Sequence, residues 1–88
     1  MNKVVVISAV WCPSCLILNK NLKKLQEEYK NINIKKYDYD FDEDEIKKYN
    51  IGDKLPVLII EDENSIEKGR LVGEKTYEEI KNFIEGMK

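Results

Sequence analysis

The feature that most constrains this chain is the junction at Trp11-Cys12-Pro13-Ser14-Cys15. Both cysteines of the protein lie in it. Upstream, Val4-Val5-Val6-Ile7 is a continuous β-branched run, which predicts a central strand covered on both faces. Downstream, Pro13 suits the first position of a helix, where its missing N–H costs nothing. Leu18, Leu22, Leu25 and Tyr29 then recur at helical spacing and make one apolar stripe, with Lys30-Asn31 closing the helix. Two thiols three residues apart at a strand-to-helix turn form a site that can open and close a disulfide.

The remaining elements read off in order. Ile32-Asn33-Ile34-Lys35 starts a second strand, which continues through Tyr37 and Tyr39 after a break in phase at Lys36. A strand-helix-strand unit of this length is expected to be right-handed with parallel strands. Asp38 to Glu45 is rich in acids. It fails as a calcium loop, because Glu43 stands where a glycine is needed and Tyr49 where a glutamate is needed. Asp42 with Glu45 reads instead as a capping box for a short helix reaching about Asn50, with Gly52 following its end. Leu55-Pro56-Val57-Leu58-Ile59-Ile60 is a third strand opened by proline. Glu61 to Asn64 is a polar turn. Ser65 to Val72 is a weaker fourth strand in which Gly69 is expected to mark a bulge. Thr76 with Glu79 is a second capping box, and Tyr77, Ile80, Phe83 and Ile84 form the apolar face of a last helix ended by Gly86.

The chain has 88 residues, so one domain over residues 1–88 is expected. Its net charge of -2 gives no electrostatic case for nucleic acid. No run is long enough to span a membrane. After Met1-Asn2-Lys3 the apolar stretch enters the cysteine motif with no small-residue cleavage site, so the cytoplasm is the expected location. There a cysteine pair is more often catalytic or metal-binding than structural.

The order β-α-β-α-β-β-α, with Cys-x-x-Cys after the first strand, tryptophan before it, Pro56 opening the third strand and Gly73 before the last helix, resembles the thioredoxin/glutaredoxin-like family. The resemblance covers nearly the whole chain. It implies an α/β, thioredoxin-like fold: a four-stranded mixed sheet with three helices, the first strand inside, and the first and last helices on one face. It implies a cis Pro56 facing the cysteines, and Leu55 and Gly73 beside it as substrate-binding positions. Trp11-Cys12 looks more like thioredoxin, and Cys12-Pro13 more like glutaredoxin. Many thioredoxins carry a buried aspartate six residues before the first cysteine. Here that position is Val6, and the usual proton acceptor is missing. Lys36 matches a lysine that accompanies that acid, although a surface lysine is the plainer reading.

The expected activity is thiol-disulfide exchange through Cys12 and Cys15, with no cofactor beyond the redox-active disulfide and no metal. The thiolate is the attacking species. A helix N-terminus favours an anion, which makes Cys12 the expected nucleophile and Cys15 the resolving partner. Trp11, Pro13 and Ser14 are expected to shape and tune the turn. The expected partners are disulfide-containing proteins and an electron donor, either a thioredoxin-reductase-type enzyme or glutathione, with the protein acting as a monomer. Two rivals remain. A metal carrier also places Cys-x-x-Cys after its first strand, but this chain has no histidine and no third cysteine to complete a zinc site. A redox-sensing binding module is the other.

Overall fold

The computed structural model describes residues 3–30 and 32–86. The elements are β1 (Lys3–Ser8), α1 (Pro13–Glu28), β2 (Asn33–Asp38), α2 (Glu43–Ile46) running on into a 3-10 turn (Lys47–Tyr49), β3 (Val57–Glu61), β4 (Glu67–Val72) and α3 (Tyr77–Gly86). One sheet holds the four strands in the order β2-β1-β3-β4. β1 runs parallel to β2 and antiparallel to β3, and β4 is antiparallel to β3. The α/β thioredoxin-like fold expected from the sequence is the observed one.

The β-branched run explains why β1 is central. Side chains alternate across a strand, so a run apolar at every position needs cover on both faces. Val4 and Val6 lie opposite Ile60 and Leu58 of β3. With Leu18, Leu22 and Leu25 of α1 and Ile80 and Ile84 of α3 they form one core. Val5 and Ile7, opposite Ile59 and Val57, point the other way and pack with Ile46 of α2. The predicted stripe on α1 is thus the face laid on the sheet, and Tyr29 packs against the same core.

Several boundaries differ from the sequence reading, each for a local reason. α1 stops at Glu28 with Tyr29 as its C-cap, and Asn31 lies outside the described residues. β2 has no bulge, because it pairs with β1 in unbroken register from Asn33 to Asp38. The apparent break at Lys36 is a change in which face of an edge strand carries the apolar side chains. Ile34 packs on the α1 side, while Tyr37 packs on the α2 side. Lys36 itself is exposed, opposite Val6.

Asp42 is the N-cap residue of α2 but makes no side-chain cap, so the first capping box does not form. Its carboxylate accepts the Asp38 N–H at 2.7 Å instead. Asp38 in turn accepts the N–H groups of Asp40 and Phe41 at 2.9 and 3.2 Å. The acids are therefore used to close the turn between β2 and α2, a competition that short polar side chains often win. The left-handed residue after the 3-10 turn is Asn50, at φ 49°, rather than Gly52; asparagine tolerates that region.

β4 begins at Glu67, later than expected, because Asp62 accepts the N–H groups of Asn64 and Ile66 and holds them in the turn. The irregularity expected at Gly69 lies beside it. Gly69 pairs with Ile60, but Glu67 pairs with Glu61, leaving Lys68 as the extra residue. Glu61 belongs to β3 and not to the turn. It is buried, with the Lys3 ammonium at 3.8 Å. At α3, Thr76 Oγ1 accepts the Glu79 N–H at 3.1 Å as predicted, and the Glu79 carboxylate returns to the Thr76 hydroxyl at 3.2 Å.

Leu22 has no solvent exposure and sits between α1 and the sheet. Leu22→Ala is expected to lower the unfolding free energy by about 2–5 kcal/mol. The check is the urea midpoint, which should fall with the slope of the transition unchanged.

Candidate active site

β1 is held rigidly on both sides, so the direction in which the chain leaves the sheet after Ser8 is fixed. The Cys12 N–H donates to the Ala9 carbonyl at 3.2 Å, which turns the chain toward α1. Cys12 becomes the N-cap of α1 with extended backbone angles, and Pro13 takes the first helical position. The Cys15 N–H then donates to the Cys12 carbonyl at 3.2 Å and closes the first turn.

This places the two sulfurs in different surroundings. Cys15 points to the sheet and is 1 % exposed, while Cys12, at the helix mouth, is 7 % exposed. Ala9, Cys12 and Cys15 form a small cluster covered by Tyr39 and Leu55. The two cysteines are free thiols in this structure. Cys12 makes no side-chain cap to the N–H groups of α1, so the thiolate bonds expected at the helix mouth are not formed here. Cys12 pairs with the Cys15 side chain instead.

Burial pushes the Cys15 thiol up from its ordinary 9.0 to about 11. The hydrogen bond to Cys12 and the nearby Cys12 charge add to this, and the Ala9 backbone opposes it. A buried thiol resists ionisation because the low-dielectric surroundings solvate its anion poorly. Val6, where an acid was looked for, is fully buried among the aliphatic side chains under α1.

The other predicted residues gather around this pair. The Leu55–Pro56 peptide is cis, as the resemblance implied. Leu55 packs on the cysteine cluster, and Pro56, the next residue in the chain, is fully buried. The Pro56 carbonyl accepts the Gly73 N–H at 2.8 Å. Gly73 has φ +87°, a region that L side chains rarely adopt, which accounts for the glycine. Trp11 is 58 % exposed on the surface beside Cys12, with its ring edge-on to Tyr39. Its Nε1–H donates to Asp40 Oδ2 at 2.7 Å. Ser14 Oγ donates to Glu74 Oε1 at 3.0 Å.

Tyr39, Asp40 and Glu74 were not picked out from the sequence. Asp40 carried a weak signal: an exposed indole N–H beside a reactive turn needs an acceptor, and the turn between β2 and α2 supplies several acids.

The chain belongs to the thioredoxin family, whose model matches residues 1–86. It is a thiol-disulfide exchange protein with a Cys-x-x-Cys pair. No curated protein matches it significantly in sequence. Solved structures do. The thioredoxin pre-protein of Schistosoma mansoni, in its reduced form, is 30% identical with a TM-score of 0.84, covering 99% of this chain and 79% of that one. Thioredoxin-2 of the malaria parasite is 26% identical with a TM-score of 0.81, covering 97% and 84%. Fasciola hepatica thioredoxin, at 22% identity, shares the fold with a TM-score of 0.86, covering 99% and 81%. Among the described residues, no helix is long and apolar enough to cross a membrane.

A thiol harder to ionise in the folded chain than in the unfolded one stabilises the fold below its unfolded pKa. That contribution is lost as pH rises through the folded value. The reduced protein is therefore expected to lose stability between about pH 9 and 11. Tyr49, pushed up to about 12, mainly by burial, adds its own loss above pH 10. The Cys15 part is isolated by comparing urea midpoints of wild type and Cys15→Ala across this range. The two curves should converge as pH rises.

Proposed function

We propose that this protein reduces disulfide bonds in other proteins, with Cys12 as nucleophile and Cys15 as resolving thiol. The observation that carries this is the asymmetry of the pair. Cys12 sits at the helix mouth beside the exposed Trp11 surface, whereas Cys15 is sealed beneath it and held as a neutral thiol that donates toward Cys12. Cys12 is the less buried of the two, which favours it as the sulfur that meets a substrate.

The Cys12 thiolate attacks one sulfur of a substrate disulfide. A Cys12–substrate disulfide forms, and the other substrate sulfur leaves as thiolate and takes up a proton. Cys15 then loses its proton and attacks Cys12 Sγ. The Cys12–Cys15 disulfide forms, and the second substrate sulfur leaves and is protonated. Two electrons pass to the substrate, and an external dithiol returns them. With Val6 in place of an acid, the Cys15 proton goes to water or to the departing sulfur.

Leu55 and Gly73 flank the cis proline, where an extended substrate strand can lie over the dithiol. Ser14 and Pro13 fix the turn, and Trp11 supplies contact area. The family match favours a thioredoxin-reductase-type donor over glutathione.

With dithiothreitol supplied, the protein should accelerate the reduction of insulin disulfides, and Cys12→Ser should abolish the acceleration. An unchanged rate in that variant rejects the assignment. Cys15→Ala should accumulate mixed disulfides through Cys12, seen as adducts on non-reducing gels. Offered NADPH with thioredoxin reductase, or glutathione with its reductase, the oxidised protein should be reduced faster by the first pair.

A further inference from the structure

The dithiol turn is bracketed by two carboxylates. Asp40 is held by the indole of Trp11, the residue before Cys12, and Glu74 by the hydroxyl of Ser14, two residues after it. Both acids are exposed. They come from different places, the turn after β2 and the loop after Gly73, and each is tied to the active-site turn itself. Among the described residues neither is in an ion pair, since the cations with acidic partners are Lys3, Lys48, Lys68, Arg70 and Lys81. Lys47, which lines a groove of about 550 Å³ together with Asp40, and Lys75, next to Glu74, form none. Exposed apolar side chains adjoin Trp11 and Asp40 in the chain. Val10 is 77 % exposed and Phe41, next to Asp40, 82 %.

We propose that Asp40 and Glu74 are specificity residues that select a substrate segment carrying basic residues beside its disulfide cysteine. This rests on the reading that Cys12 reduces protein disulfides. A segment crossing Cys12 between Trp11 and the Gly73 loop must pass both acids. Apolar side chains next to its cysteine fall on Val10, Trp11 and Phe41. Lysine or arginine one or two positions farther out falls within reach of a carboxylate whose orientation is already set by a hydrogen bond. That fixed orientation removes part of the ordering cost that weakens most surface ion pairs. The two carboxylates repel acidic segments and a net-anionic disulfide such as oxidised glutathione, and Lys47 and Lys75 beside them offset part of that repulsion. Cys12 carries negative charge when it attacks, so a cation brought alongside also offsets repulsion between that charge and the two acids.

The test uses two synthetic peptides, each with one intramolecular disulfide, identical except that lysine flanks the cysteines in one and glutamate in the other. Reduction is followed for wild type, for Glu74→Gln, for Asp40→Asn and for the double variant. Asparagine and glutamine keep the acceptor oxygens used by Trp11 and Ser14. Wild type should favour the lysine peptide in kcat/KM, and each single substitution should cut the preference about two- to fivefold. The double variant should show little preference, and about 0.5 M salt should erase it in wild type. Glu74→Lys, which leaves Asp40 in place, should cut the preference further than Glu74→Gln does. Equal rates on both peptides in wild type, or a preference that the double variant retains, would overturn the proposal while leaving disulfide reduction standing. Reduction of neither peptide by wild type would reject the function on which the proposal depends.

Discussion

Burial of β1 on both faces is the constraint on which the rest of this molecule depends. Four consecutive β-branched residues can be kept from water only by a sheet with helices on both sides. Once Val4 and Val6 are under α1 and Val5 and Ile7 are over α2, the strand has no freedom to slip or tilt. A shift of one residue would exchange its two faces. The strand therefore delivers Ala9 and Cys12 to one place at one edge of the core, and the helix that starts there is anchored to the same side chains.

From this rigid base the chemistry needs little. The proline begins the helix, three residues of helix bring the second sulfur beneath the first, and Leu55 closes the cluster from the loop that leads into β3. The two cysteines differ in their place on the helix and in how far each is withdrawn from solvent, and this difference supports the roles proposed for them. The charges nearby act on the surroundings of the pair. Their donors are Trp11 and Ser14, which belong to the turn, so the acidic rim and the dithiol are positioned by the same few residues.

Much of this was legible in the sequence because it rests on periodicity and on two constrained residue types. The double-sided strand, the leucine stripe and the positions of Pro13 and Pro56 all reflect local backbone rules. What was misread depended on choices between competing local bonds. Asp42 had the spacing of a cap, but its carboxylate found the Asp38 N–H first. Glu61 looked like turn material, and its pairing with Lys3 across two strands together with its hydrogen bond to Tyr49 makes a buried carboxylate tolerable there. Lys36 appeared to break a strand because an edge strand does not need the same face buried along its length. The hydrogen bonds of Asp40 and Glu74 are long-range, made to residues far away in the chain. No local pattern encodes them.

The outer strands of the sheet carry a further consequence. β2 presents Lys35 and Lys36, and β4 presents Glu67, Lys68 and an Arg70 engaged with Glu67. An incoming strand from a second chain would have to strip water from charges along either border. Sideways growth of the sheet is thereby discouraged at both ends.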